Sequence, residues 1–217
     1  MTTAKLIWAT PDADKHIGYV ARVSNPDNQN NPDVAKLLKY CAKNAHWSVF
    51  EHASACVEIS TTRDIGRQII RHRSFSFSEF SQRYADVSSL GDFVVRECRT
   101  QDLKNRQNSI VSDDFELNVW WAAAQKRMTD EAQFLYGEAL KRGVAKEQAR
   151  ALLPEGLTPS RLYMTGTLRS FITYCQVRMD PSTQLEHRLV AQDVLAVLRD
   201  VAPVTVGAFF PEQQSSF

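Results

Sequence analysis

The 217-residue sequence contains no run of 18 apolar residues, so nothing in it reads as a helix long enough to span a bilayer. Cysteine is sparse: Cys41, Cys56, Cys98 and Cys175 are scattered and form no CxxC pair. Neither a zinc site nor a disulfide framework is indicated, and inert thiols in a reducing, cytoplasmic setting are expected. A surplus of one charge is also lacking. Lys plus Arg is 26 against 25 for Asp plus Glu, a formal net charge of +1. A protein that coats nucleic acid or binds a membrane surface carries a large positive excess, and neither partner is expected. There is no internal repeat, no low-complexity segment and no GxGxxG, so a Rossmann dinucleotide site is not supported. His46, Glu51 and His52 lie near one another without the HExxH spacing, and no metal is expected. Met1–Ala9 has a single Lys and a short apolar stretch, and does not read as a secretory signal.

What is present is ordinary globular material, 43% hydrophobic and 24% charged. The length suits a single domain over residues 1–217. Periodicity predicts a strand at Lys5–Ala9, a helix at Asp14–Val23, and a helix at Asn31–Asn44 with Asn31 as N-cap and Pro32 first in the helix. A strand at Ala53–Ser60 leads to a helix capped by Asp64 that runs from Ile65 to about Arg73. Ser74–Tyr84 reads as a loop with short extended pieces, and Ser88–Asp114 as a polar, irregular stretch. The clearest helix is Phe115–Arg142, with Leu117, Trp121, Ala124, Met128, Ala132, Leu135 and Ala139 in a 3.6-residue rhythm and Gly143 as its stop. Helices are also predicted at Ala145–Leu153, Ser160–Val177 and Thr183–Val201. Trp120-Trp121 reads as core or subunit interface, and His16 and His187 as unpartnered surface or helix residues. Mostly helix with two to five strands makes α+β the expected class.

Chemistry concentrates between Arg63 and Arg83. Arg63, Arg67, Arg71, Arg73 and Arg83 face only Asp64 and Glu79, a local surplus of +3. Guanidinium forks suit phosphates and carboxylates. Gln68 and Arg71 share a helix face, and Arg71, His72 and Arg73 point in successive directions about 100° apart at the predicted helix end. Two anions could meet there. A solvated basic helix end is the simpler alternative, since cations also answer the dipole. Phe75, Phe77, Phe80 and Tyr84 beside the arginines also suit a module that stacks single-stranded bases, but that reading leaves the neutral total unexplained.

The run from Arg71-His72-Arg73 to Ser81 resembles the RHRxxxxxxxS signature of the flavin-dependent thymidylate synthases, the ThyX family. Ala21-Arg22-Val23-Ser24, His46-Trp47-Ser48-Val49-Phe50-Glu51-His52, Glu147-Gln148-Ala149-Arg150 with Leu153-Pro154, and Leu168-Arg169-Ser170 with Arg178 resemble further family motifs in the right order. The resemblance covers about Ala21 to Glu186. It implies a ThyX-like fold, a central mainly antiparallel sheet with flanking helices, assembled as a homotetramer with shared active sites. It implies reductive methylation of dUMP to dTMP, with methylenetetrahydrofolate as carbon donor, FAD as redox carrier and NADPH as reductant.

Carried over by position, Gln68, Arg71, Glu79, Ser81, Gln82, Arg83, Arg150 and Arg178 match dUMP-binding residues, and Arg178 matches the catalytic arginine at the uracil ring. Ser24, Ser48, Glu51, Arg71, His72, Arg73, Glu79, Thr167, Arg169 and Thr173 match flavin-side positions. His46 matches a position beside the folate and flavin rings. Ser81 invites a nucleophile reading, but no His–Asp relay accompanies it, and a phosphate contact suits an unactivated hydroxyl better. The chain departs from the pattern at Ser78, Thr167 and Thr173, where members often carry Asn, and near Ser182, where some carry His. Lys104–Asn108 resembles a run found in some members and reads as a polar loop or a lid near the folate site.

Overall fold

Val57 and Ile59 lie fully buried in one strand, and Leu162 and Met164 fully buried in another, with polar residues alternating between them. Period-two burial of this kind builds a sheet with one face on a core. The computed structural model describes residues 3–211, so Met1, Thr2 and residues 212–217 of the expected domain lie outside the described residues.

In chain order the elements are β1 (Thr3–Ala9), α1 (Ala13–Ala21), α2 (Ala35–Lys43), β2 (Ser54–Thr62), α3 (Arg63–Ile69), β3 (Ser76–Glu79), β4 (Arg99–Gln101), β5 (Ser109–Val111), α4 (Phe115–Lys141), α5 (Lys146–Ala149), β6 (Pro159–Thr167), α6 (Leu168–Arg178), α7 (Leu185–Val201) and α8 (Pro203–Phe209). Short 3-10 turns intervene, including Trp47–Glu51. The main sheet has the order β1-β2-β6-β3, with every neighbouring pair antiparallel. β4 and β5 form a separate hairpin inside the stretch expected to be irregular. The fold is α+β, as the residue pattern predicts.

The largest correction is β6. Residues 160–167, expected to open a helix, form the strand between β2 and β3, and the helix α6 begins only at Leu168. Two inward apolar residues flanking Tyr163 are too short a pattern to separate from a helix turn. The boundary is set by a helix N-cap that the sequence reading did not place: the Thr167 hydroxyl accepts the Ser170 backbone N–H at 3.3 Å.

A second correction lies at α2, which starts at Ala35 rather than Asn31. The buried Arg22 guanidinium accounts for the delay. It donates to the Asn31 and Asp33 carbonyls at 2.6 Å each, which keeps them from helical partners.

A third correction lies at α3. It ends at Ile69, and its N-cap residue is Thr62, not Asp64. The Asp64 carboxylate instead accepts from Thr62 Oγ1 at 2.6 Å and from Arg96 Nη2 at 2.7 Å. Arg71, His72 and Arg73 therefore sit in a turn between α3 and β3, held by bonds from His72 N to the Ile69 carbonyl (3.0 Å) and from Phe75 N to the His72 carbonyl (3.3 Å). Phe75 anchors that turn. Its ring lies edge-on to Phe171 at 4.8 Å and packs over Gly166 so closely that a Cβ there would sit 2.4 Å from the ring. Phe75→Ala should cost about 3 kcal/mol of stability, readable by denaturant unfolding. Gly166→Ala should loosen the same turn by displacing the ring.

The long helix matches its expected extent, and Gly143 follows it with φ 82°. Its faces do not. Buried residues are Gln125, Thr129, Ala132 and Tyr136, whereas Met128 is 56% and Trp120 58% exposed, and Leu135 is exposed as well. The inward side grips the preceding loop: Trp121 Nε1 and Gln125 Nε2 both donate to the Arg96 carbonyl, at 3.0 and 2.8 Å.

Candidate active site

Antiparallel pairing sends α3 off one end of the β2–β6 pair and α6 off the other. The turn after α3 then meets α6 twice. Ser170 Oγ donates to the Ser74 carbonyl at 3.3 Å, and Arg178 Nε donates to His72 Nε2 at 2.8 Å. α7 closes the cluster with His187, which is fully buried. Its Nδ1 lies 3.1 Å from Gln68 Oε1 and its Nε2 lies 3.2 Å from the Tyr174 hydroxyl. His187 lies in a helix, one of the two places expected from sequence, but it is buried and partnered rather than unpartnered. Gln68 Nε2 donates to Gln184 Oε1 at 2.7 Å, and Gln184 Nε2 donates to Glu186 at 3.0 Å.

Both imidazoles here are neutral. Burial, then the Arg178 charge, pushes His72 down, and its Nε2 is already an acceptor. Burial, then Arg178 and His72, pushes His187 down to about 3. The unfolded chain takes up that proton near pH 6.5 and the folded chain near 3, so the unfolded state binds more protons in between. Stability should therefore fall on acidification through that window, by up to about 1.4 kcal/mol per pH unit from this one group. Thermal melts from pH 7 to pH 4 test this, with His187→Leu expected to flatten the slope.

The arginines divide by what neutralises them. Arg63 and Arg67 both pair with Glu79 and Glu155, Arg96 with Asp64, Arg99 with Glu186, and Arg169 with Glu51. Arg71 and Arg73 are exposed and have no hydrogen bond or ion pair among the described residues. Arg178 spends only its Nε, on a neutral ring. Three arginines without a counter-ion among the described residues thus either adjoin His72 in the chain or, as Arg178, bond to it.

The remaining predicted positions fall into two further places. Gln82, Arg150, Arg63 and Arg67 line a cleft of about 450 Å³, with Glu147 and Glu155. Gln82 is 3% exposed and its Nε2 has no partner. Glu79, half-buried between the two paired arginines, also accepts from Ser160 Oγ at 2.9 Å. Ser81 opens the adjacent turn, its carbonyl accepting from Tyr84 N and Ala85 N, and the exposed Arg83 lies over the Tyr84 ring. Arg150 donates only to the Glu147 backbone carbonyl.

The other place is the start of α6. Arg169 pairs with Glu51 and lies 5.9 Å from the Trp47 ring, which joins α6 to the Trp47–Glu51 turn carrying Ser48. His46 precedes that turn, exposed against Tyr40. Thr173 donates to the Arg169 carbonyl at 3.0 Å, so this hydroxyl, like that of Thr167, is engaged within α6. Ser24 lies apart, in a hollow of about 430 Å³ beside Arg22 and Lys36.

One chain therefore links Gln68 to Gln184 and His187 and Arg178 to His72, while Glu79 pairs with the arginines that line a separate cleft with Gln82 and Arg150. Sequence reasoning missed Tyr174, Glu186, Arg99 and His187. Among the described residues no cluster of His, Cys, Asp and Glu could hold a metal ion, and no helix is long and apolar enough to cross a membrane.

Residues 5–204 match the family model described as thymidylate synthase complementing protein. The chain is 50% identical over 175 residues to a flavin-dependent thymidylate synthase of Synechocystis, covering 81% of this chain and 79% of the relative. It is 45% identical over 186 residues to a probable flavin-dependent thymidylate synthase of Paramecium bursaria Chlorella virus 1, covering 85% of each. Among solved structures it is similar to a UMP/dUMP methylase, PolB, from Streptomyces cacaoi bound with 5-Br dUMP. The TM-score is 0.83 at 28% identity, over 96% of this chain and 94% of that one.

Proposed function

This chain belongs to the flavin-dependent thymidylate synthases, and from that premise we propose that it methylates dUMP to dTMP at a site built around His72. The observation that carries this reading is the set of three arginines, Arg71, Arg73 and Arg178, free of carboxylates among the described residues and adjoining or bonded to one neutral imidazole. Anionic ligands must supply the missing counter-charge. In this reading methylenetetrahydrofolate donates the carbon and NADPH the reducing equivalents, and residues 1–217 act as one domain.

The donor set fits FAD: Arg71 and Arg73 offer paired forks to a pyrophosphate, and Arg169 adds a third from α6. The flavin, when bound, supplies the hydride chemistry. The chain's own residues bind and orient. Arg150 and Arg83 would hold the nucleotide phosphate, with the Ser81 hydroxyl and the unpartnered Gln82 amide adding donors. The Gln68 amide would read the pyrimidine edge. The terminal amino groups of Arg178 would stabilise negative charge as it spreads over the N3–O4 edge of uracil, making its carbon 5 a better nucleophile. Neutral His72 accepts from Arg178 Nε, which aims that charge without cancelling it. We place Ser24, Ser48, Glu51, Thr167 and Thr173 with Arg169 on the flavin side, and His46 at the folate edge.

The two separated sets of nucleotide residues support sites completed between subunits of a homotetramer. The unpartnered apolar side of α4, with Phe115, Val119, Trp120, Met128 and Phe134 exposed, supports the same reading. The test is release of tritium from carbon 5 of labelled dUMP in the presence of methylenetetrahydrofolate, FAD and NADPH. Release with formation of dTMP, from a yellow protein, is the expected result. A colourless protein with no release refutes the reading.

A further inference from the structure

The two ends of a glutamine amide are nearly identical in shape and opposite in hydrogen-bonding sense. The use of Gln68 to a ligand therefore depends on which end points where, and the structure fixes that direction from a distance. Glu186, at the start of α7, can only accept. Burial pushes its carboxyl up, but its own backbone N–H, the Gln184 amide, Arg99 and Arg96 outweigh that and hold it below the usual range. Arg99 reaches it from β4. Gln184 must then direct Nε2 to Glu186 and Oε1 to Gln68, and Gln68 must donate through its own Nε2. That leaves Gln68 Oε1 facing His187 Nδ1. An amide oxygen has no proton to give, so Nδ1 carries the hydrogen. His187 Nε2 is then a lone pair that takes the Tyr174 hydroxyl. The Tyr174 ring stands edge-on to His72 at 5.0 Å, behind the atom that aims Arg178.

We propose that His187 is a positioning residue: as its Nδ1–H tautomer it locks the Gln68 carboxamide in the direction dictated by the Arg99–Glu186 pair. One N–H and one lone pair of Gln68 then remain, in fixed orientation, for a pyrimidine nucleotide. Among the described residues no carboxylate bonds to the ring, and burial, then the Arg178 charge, opposes a proton on it, which keeps the required tautomer neutral. The inference rests on the placement of Gln68 at the dUMP site proposed above.

The test is a set of His187 variants of the flavin-loaded enzyme, read by dUMP affinity in calorimetry, by kcat and KM for tritium release, and by melting temperature. His187→Leu leaves the Gln68 oxygen without its donor and should weaken dUMP about tenfold with flavin retained. His187→Gln, whose amide reaches the Nε2 place rather than the Nδ1 place, should behave alike and serves if the leucine variant does not fold. His187→Asn sets an amide N–H where Nδ1 stood and should come within about threefold of the parent. In a Gln68→Leu background the same His187 substitutions should add less than about twofold, because the group they position is gone. Unchanged dUMP affinity in the folded leucine or glutamine variant overturns the proposal. So does a loss that is the same with and without the Gln68 carboxamide. A parent enzyme that binds no dUMP refutes the functional reading itself, whereas a parent that binds and turns over normally confines any failure to His187.

Discussion

Arg178→Ala should lower turnover about 100- to 1,000-fold while leaving bound flavin in place and changing dUMP affinity much less. The geometry separates the two effects. In the proposed site phosphate binding falls to Arg150, Arg83, Ser81 and Gln82, of which Gln82 and Arg150 line a cleft that does not include Arg178. Among the described residues Arg178 is held by one side-chain bond, from Nε to a ring that carries no charge, so at the proposed site its fork would meet the pyrimidine already oriented and not neutralised. A fixed charge helps most where charge develops in the transition state, because no reorganisation is needed when it does. Arg178→Lys keeps the charge but gathers its donors on one nitrogen, which cannot bond His72 and present a planar fork to the pyrimidine edge at once. It should recover less than about tenfold of the loss. The comparison requires tritium-release rates at saturating dUMP beside dUMP affinity by calorimetry. Normal turnover in the alanine variant overturns the role given to Arg178.

His72→Ala tests the same arrangement from behind. It frees Arg178 Nε and removes the ring packed against Tyr174, so turnover should fall toward that of Arg178→Ala. The paired variant should be little worse than either alone, since both act on one guanidinium.

The residues proposed for the chemistry were more legible than the structure holding them. Arg71, His72, Arg73 and Ser81 stand at a spacing that marks them in the bare sequence, yet the local pattern ran α3 on to Arg73. The turn that ends it depends on Phe75 docking against Gly166 in β6, and no local rule contains that contact. β6 itself was hidden because only Leu162 and Met164 carry its alternation, so its identity as a strand is settled by β2 and β3 on either side. His187 looked idle because its partners lie 119 and 13 residues away in the chain. Periodicity found α4 and its length correctly but turned Met128 and Leu135 inward. A 3.6-residue rhythm says that a helix has an apolar side, not which molecule covers it. In α4 the chain's own contacts fall on Gln125 and Trp121, and the apolar side is left over.

That leftover side leads to the prediction with the most visible signature. Arg178→Ala and Arg150→Ala should each be nearly inactive alone, the first through lost turnover and the second through nucleotide affinity about tenfold or more weaker. Co-expressed so that the two chains assemble together, they should recover activity. If each site takes the Gln68–Arg178 side from one subunit and the Gln82–Arg150 side from another, one kind of pairing escapes both substitutions. The Arg150→Ala chain supplies an intact Arg178, and its neighbour, the Arg178→Ala chain, supplies an intact Arg150. Random mixing places that pairing at roughly a quarter of the sites in a closed symmetric assembly. Mixed oligomers should thus show about a quarter of the parental rate at low dUMP, at least about twofold above the better of the two variants. Mixing the separately purified homo-oligomers without exchange should show none of it. A site contained in one chain predicts the opposite, because every chain then carries a defect and the mixture performs as the mean of its parts. Substituting Trp120 and Met128 with glutamate on the exposed side of α4 supplies the control. Charge there should prevent assembly, and with it both the recovery and retention of flavin, while the far-ultraviolet spectrum of the folded chain persists.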